Sequence, residues 1–252
     1  MTPPLKSENQ IQNRLELTAD HIRALPTMLL SPVRIPPVLV MLKEHNSPAA
    51  EQYRLLAHTV EKLIAEKPGI TIGVSSAVEG EGKTVTSLNL ALALAETKVR
   101  QVALIDADFR GGQVAQTLGL GEVPGLTEAL QGSLQISRIV RRVEKNLVIL
   151  PGGARTSQPL GLLRSAAWHE LVGSLRAHFD CIVVDCPPIC ISEEMPVLDD
   201  IIDKLILVVR SGVTRQETLR DALDLVPPGK MAGLVLNAVP LSARRYRPYK
   251  RE

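Results

Sequence analysis

The stretch Ile70-Thr-Ile-Gly-Val74-Ser-Ser-Ala-Val-Glu-Gly-Glu-Gly-Lys83-Thr84 decides the fold. An apolar run with β-branched residues ends in a turn carrying Gly80 and Gly82, and an amphipathic segment opens at Val85. Strand, glycine turn and helix in that order predict a phosphate-binding loop, because the glycines let backbone N–H groups close around an anion and the helix N-terminus faces it with partial positive charge. Lys83 is expected to reach the β- and γ-phosphates of a nucleoside triphosphate, and Thr84 to offer its hydroxyl to magnesium. Ala77 stands where the pattern G-x-x-x-x-G-K-[ST] has its first glycine, and a glycine turn that merely caps a helix would look similar in isolation. The rest of the chain decides between them.

Further apolar runs follow at Val102–Ile105, Leu147–Leu150, Cys181–Val184, Leu205–Val209 and Gly233–Leu236, each separated by stretches of helical periodicity. That alternation predicts an α/β fold with a mainly parallel central sheet, helices on both faces and right-handed crossovers. Val85, Leu88, Leu92 and Ala95 place one face of the helix after the loop against the sheet. A ligand is then expected at the carboxyl ends of the strands.

Two of those strands end in carboxylates. Val102-Ala-Leu-Ile-Asp106-Ala-Asp108-Phe-Arg110 delivers a pair, and Cys181-Ile-Val-Val-Asp185-Cys-Pro-Pro188 delivers one more. A single strand-end Asp is common as a simple turn or cap. Three strand ends meeting at one phosphate loop instead suggest a metal-nucleotide site, since magnesium takes oxygen ligands and keeps several waters. Asp185 is the first choice for the metal, with Thr84.

Composition narrows the class. Hydrophobic residues make up 45% of the 252 and aromatics only 2%, so the core must be filled by aliphatic side chains, as in a buried parallel sheet. A formal net charge of +2, from 29 basic and 27 acidic residues, argues against a nucleic-acid-binding surface. The basic excess is local to Arg244-Arg-Tyr-Arg-Pro-Tyr-Lys-Arg251. Cys181, Cys186 and Cys190 lack the spacing of a zinc site or redox dithiol, so reduced, buried thiols are expected.

Residues 1–46 mix polar residues with repeated prolines and are expected to form a partly disordered extension or linker, with a helix around Ile11 to Leu25. No secretory signal is apparent, and the apolar stretch from Pro26 to Leu42 is broken by prolines, which predicts a cytoplasmic chain. Ser47-Pro48 opens a helix with Ala49, Tyr53, Leu56, Val60 and Leu63 on one face. Residues 47–240 form the P-loop domain, and residues 241–252 a basic tail with tyrosines.

The chain resembles the bacterial tyrosine kinases of capsular and exopolysaccharide synthesis, a branch of the deviant P-loop ATPases that also hold septum-positioning and partition proteins. The resemblance rests on a Walker A loop, Gly80-Glu-Gly-Lys-Thr84 with Asn89-Leu-Ala91, on Ile105-Asp-Ala-Asp-Phe-Arg110, and on a Walker B strand, Val183-Val-Asp-Cys-Pro-Pro188. Leu118-Gly-Leu120, Gly125-Leu126, Leu205–Arg210 with Thr214, and Gly233-Leu-Val-Leu-Asn237 agree as well. Val78 replaces the signature lysine of the partition and septum ATPases, which favours the kinase branch.

The resemblance implies ATP as substrate and Mg2+ as cofactor. Glu79, Gly80, Glu81, Gly82, Lys83, Thr84 and Val85 would surround the phosphates, and Asn237 would contact the adenine. Thr84, Asp108 and Asp185 would serve the metal, while Lys83, Asp106 and Asp108 would serve catalysis, Asp106 as acceptor of the attacking tyrosine's proton. Tyr246 and Tyr249 are the phosphoacceptor candidates, phosphorylated in trans. Glu51 and Arg54 match a family oligomerisation motif whose last arginine is Ala57 here; the same pair also reads as an ordinary exposed i,i+3 ion pair.

The implied partners are a membrane chain-length-determinant protein, or polysaccharide co-polymerase, reached through its cytosolic segment, and other copies of the chain in a homo-oligomer. Membrane association is then indirect, at the inner membrane. A non-kinase nucleotide switch controlling assembly of such a partner is the alternative, favoured by the sparse tail tyrosines, by Glu79 where the family often has proline, and by Ala57. A metabolic kinase with a small acceptor is the third.

Overall fold

Alternate residues of the central strands are apolar on both sides, so each strand is buried between two layers of helices. In the computed structural model, which describes residues 15, 17–28, 30–31 and 33–240, seven strands form one sheet: β1 (Ile70–Ser76), β2 (Val102–Asp106), β3 (Arg141–Glu144), β4 (Leu147–Leu150), β5 (Cys181–Asp185), β6 (Lys204–Arg210) and β7 (Met231–Asn237). Their order is β3-β4-β2-β5-β1-β6-β7. All neighbours are parallel except β3 and β4. The six apolar runs of the sequence are the six parallel strands. Strand β3 escapes the pattern because only Val143 of its four residues is buried.

The described helices are α1 (Ala19–Ala24), α2 (Val40–Lys43), α3 (Pro48–Glu66), α4 (Lys83–Glu96), α5 (Val114–Thr117), α6 (Leu126–Leu130), α7 (Ile136–Ile139), α8 (Pro159–Leu163), α9 (Ala166–His178), α10 (Met195–Leu198) and α11 (Gln216–Asp224). On one side of the sheet Ile182 and Val184 of β5 join Trp168, Leu171 and Leu175 of α9. On the other, Cys181 and Val183 join Leu88 and Leu92 of α4 and Val60 and Ile64 of α3. Burial on both faces is what a parallel sheet requires, and aliphatic side chains fill both layers.

Helix α3 starts as the sequence predicts. The Ser47 hydroxyl accepts from the N–H of Ala50 at 3.1 Å, and Pro48 occupies the first turn, a cap of about 1 kcal/mol. Helix α4 departs from expectation. It is not amphipathic: Thr84 and every residue from Thr86 to Ala95 are buried, and Val85 is half-buried. The reason is that α3 and the N-terminal segment cover the side turned away from the sheet.

That segment is more than a tether. Of the helix expected around Ile11 to Leu25, α1 is the described part, and residues 1–14 lie outside the described residues. Leu17, Leu39 and Met41 are buried in the two cores, and the N–H of Met28 donates to the carbonyl of Arg142 at 2.8 Å. Asn89 on α4 makes the tie to the phosphate loop's own helix. Its Oδ1 accepts from the N–H of Met41 at 3.1 Å, and its Nδ2 donates to the carbonyls of Val38 and Val85 at 3.0 and 2.9 Å. Asn89→Ala leaves the Met41 N–H and the Val38 carbonyl short of a partner, so it is expected to destabilise the chain by about 1–3 kcal/mol, seen as a lower urea midpoint with unchanged slope.

Candidate active site

Sheet order brings the chemistry together. Strand β1 lies beside β5, and β5 beside β2, with Val74 opposite Asp185 and Asp185 opposite Asp106. The loop leaving β1 therefore passes next to the carboxyl ends of both acid-bearing strands. Gly82 ends that loop as the N-cap of α4 in the left-handed region, φ 97°, and Gly80 has φ 78°. A Cβ on Gly82 would also stand 2.0 Å from Nδ2 of Asn237. No side chain caps α4, which suits a helix end that receives a phosphate.

Asp185 is fully buried and accepts twice: from Thr84 Oγ1 at 2.7 Å and from Ser87 Oγ at 3.0 Å. Lys83 Nζ lies 2.7 Å from Asp108 Oδ2. Burial opposes the charge of Lys83, but Asp185, Asp108 and Asp106 outweigh it and its pKa is raised. Asp106 is buried with Oδ2 accepting from the N–H of Val114 at 3.2 Å, while Oδ1 has no partner. Burial, and then the neighbouring Asp185, push its carboxyl up to about 8. Asp185 is raised too, chiefly by burial.

The acid loop that follows β2 is tightly built. A Cβ on Gly112 would stand 2.7 Å from both oxygens of Asp106, so only glycine fits there. Gly111 N–H donates to Asp108 Oδ1 at 2.8 Å. Between Asp108 and Arg110, the ring of Phe109 meets Trp168 edge-on, with centroids 6.5 Å apart. Arg110 pairs with the buried Glu194 at 2.5 Å.

Of the other residues singled out in the sequence, Glu79 is exposed, whereas Glu81 is buried. Asn237 donates from Nδ2 to the carbonyl of Glu81 at 2.9 Å and accepts at Oδ1 from the N–H of Ala238 at 2.8 Å. Arg54 pairs with Glu51 at 3.3 Å and, more closely, with Glu96 of α4 at 2.6 Å; Ala57 is buried beside that pair. Cys181 and Cys186 are buried free thiols and Cys190 is half-buried. Tyr246 and Tyr249 lie outside the described residues. Sequence reasoning passed over Ser87, although it stands one helical turn after Thr84 and so on the same face.

Magnesium fits this donor set. Among the described residues no three His, Cys, Asp or Glu side chains gather as a cage. A cation that prefers oxygen and retains waters and phosphate ligands asks only for a hydroxyl and one or two carboxylates, which Thr84 and Asp185 present 2.7 Å apart.

A phosphate loop on β1, a lysine held by a carboxylate and an aspartate ending the adjacent strand define a P-loop nucleoside triphosphatase site. A family model described as ParA, NUBPL iron-transfer P-loop NTPase, matches residues 69–223. The chain is 30% identical over 207 residues to tyrosine-protein kinase YwqD of Bacillus subtilis (strain 168), covering 81% of this chain and 87% of that one. It is 32% identical over 202 residues to tyrosine-protein kinase CpsD of Streptococcus pneumoniae serotype 4, covering 79% and 88%. The crystal structure of the VpsO kinase domain superposes with a TM-score of 0.67 at 32% identity, over 76% of this chain and 97% of that one. The chain belongs to the bacterial tyrosine-kinase family of ParA-type P-loop NTPases.

The raised carboxyls carry a pH signature. With Asp106 at about 8 instead of 3.8, the folded chain holds a proton that the unfolded chain has released, so stability falls as pH rises through that window, by at most ~1.4 kcal/mol per pH unit for one group. Asp185 acts in the same direction. Asp106→Asn is expected to reduce, without abolishing, the loss of unfolding free energy between pH 5 and 8 in nucleotide-free protein, measured by urea denaturation.

Proposed function

We propose that the chain is an ATP-dependent protein-tyrosine autokinase that transfers the γ-phosphate of ATP to tyrosines of its C-terminal segment in trans, and that it regulates capsule or exopolysaccharide chain synthesis and export. The observation that carries this reading is the gathering of Lys83, Thr84, Asp106, Asp108 and Asp185 around the first turn of α4, in a chain of the tyrosine-kinase family.

In the proposed reaction the tyrosine oxygen attacks the γ-phosphorus, the bond to the β-phosphate oxygen breaks and ADP leaves. Lys83, kept charged by its carboxylates, lies along the phosphates and offsets their negative charge. The backbone N–H groups of Gly80 to Val85 hold them in line. Thr84 and Asp185 would hold magnesium, with Asp108 in support; bound there, the ion neutralises charge on the phosphate oxygens. Asp106 takes the tyrosine's proton at Oδ1, its oxygen without a partner. A carboxyl titrating at about 8 is close to neutral working pH, where a general base is most effective. Since phosphoryl transfer passes through a loose transition state, positioning and charge supply most of the rate.

Tyr246 and Tyr249 are the proposed acceptors, and phosphorylation would place negative charge within a basic segment. The proposed partner is a membrane chain-length-determinant protein acting through its cytosolic segment. Among the described residues no helix is long and apolar enough to cross a membrane. Arg54 and Glu51 are the proposed oligomer contacts. A non-kinase ATP switch is the second reading, favoured by the presence of only two tail tyrosines.

Incubation with Mg-ATP, with and without the partner's cytosolic segment, is expected to place phosphate on Tyr246 or Tyr249, mapped by mass spectrometry, and Lys83→Met to lower it by on the order of 100-fold or more. ATP hydrolysis with no phosphotyrosine under either condition would replace the kinase with the switch.

A further inference from the structure

The phosphate loop is fastened on the side away from the catalytic carboxylates, and Thr214 is the centre of that fastening. Its Oγ1 donates to Oε1 of Glu81 and accepts from the N–H of Arg210 at 2.9 Å. A hydroxyl has one hydrogen to give, so the two bonds fix its direction. The other oxygen of Glu81, Oε2, accepts from the N–H of Val78 at 3.1 Å, closing a small ring within the loop. Arg210 Nη1 donates to the carbonyl of Gly80 at 2.8 Å, and Asn237 Nδ2 to that of Glu81. Arg210 and Asn237 are paired in register at the ends of β6 and β7.

Glu81 is 1% exposed. A carboxylate buried there is costly unless its oxygens are hydrogen-bonded, and the two oxygens have different kinds of partner. Val78 is a backbone group of the loop itself. Thr214 comes from outside it, in the connection between β6 and α11. With both Gly80 and Gly82 in the left-handed region, the loop has little intrinsic preference for one shape. An external anchor lowers the ordering cost that nucleotide binding would otherwise meet.

We propose that the Thr214–Glu81 hydrogen bond is a positioning contact that holds the loop in its phosphate-binding shape before nucleotide arrives, so that Thr214 sets nucleotide affinity without touching the nucleotide. The proposal rests on the assignment of this loop as the nucleotide site. It also gives Glu81 a role distinct from phosphate contact: the buried side chain shapes the loop through Val78 and Thr214.

The test is equilibrium binding of a fluorescent ATP analogue with Mg2+ to wild-type protein, Thr214→Val and Thr214→Ser, with thermal melting of each without nucleotide. Valine keeps the volume and loses the hydroxyl; serine keeps the hydroxyl and loses a methyl. Thr214→Val is expected to raise Kd by about tenfold, the loss of one hydrogen bond to a charged group, and Thr214→Ser to stay within about threefold of wild type, whichever of the two melts lower. Equal affinity in all three proteins, or serine as weak as valine, would overturn the positioning role while leaving the nucleotide site intact. Absence of binding by wild type would overturn the nucleotide assignment itself, and this proposal with it.

Discussion

A carboxylate with no exposed surface, Asp185 at the end of β5, fixes the geometry on which the site depends. Buried carboxylates must be hydrogen-bonded, and its two oxygens are taken by hydroxyls one turn apart on α4, Thr84 and Ser87. Those bonds set the rotation and height of the helix relative to the sheet. Lys83 and the glycine turn immediately precede Thr84, so their place follows. Two more carboxylates, Asp106 at the end of β2 and Asp108 just beyond it, then crowd the same pocket, and Lys83 offsets their charge. The raised carboxyl of Asp106 is the cost of that arrangement.

The parallel strands were legible because each is an uninterrupted aliphatic run, and the site was legible because its acids end those runs. Strand β3 was not, since an edge strand with one buried residue leaves no run to see. Helix α4 misled for a different reason. Periodicity reports one apolar face only when the other meets water, and here it meets α3 and the N-terminal segment, with Asn89, Ser87 and Thr86 buried through tertiary contacts that no window of sequence contains. The prolines between Pro26 and Pro37 read as a linker, although the segment around them carries Leu17, Leu39 and Met41 into the core. Glu81 could not have been assigned its partners from sequence, because Thr214 lies 133 positions away.

Helix α4 and its loop are thus gripped from three directions. Asp185 holds the first turn from the sheet, Asn89 ties the second turn to the N-terminal segment, and the ends of β6 and β7 hold the turn before it. The grips of Asp185, Asn89 and Asn237 are made by polar groups that are buried or half-buried, which are more directional than aliphatic packing, and the exposed Arg210 adds a bond from the solvent side. The layers of leucine, isoleucine and valine supply the bulk of the burial, while these few bonds choose one arrangement of the loop among those the glycines permit.

Trp168 is the only tryptophan in the chain, and its indole lies against Phe109 in the loop, between Asp108 and Arg110. Its emission is therefore an internal optical gauge of that loop. The indole is fully buried and its Nε1 has no hydrogen-bond partner, conditions under which fluorescence is sensitive to small changes in packing and polarity. Movements of the acid loop during a reaction cycle can be followed in the unlabelled protein, in real time, without a reporter that would itself disturb the site.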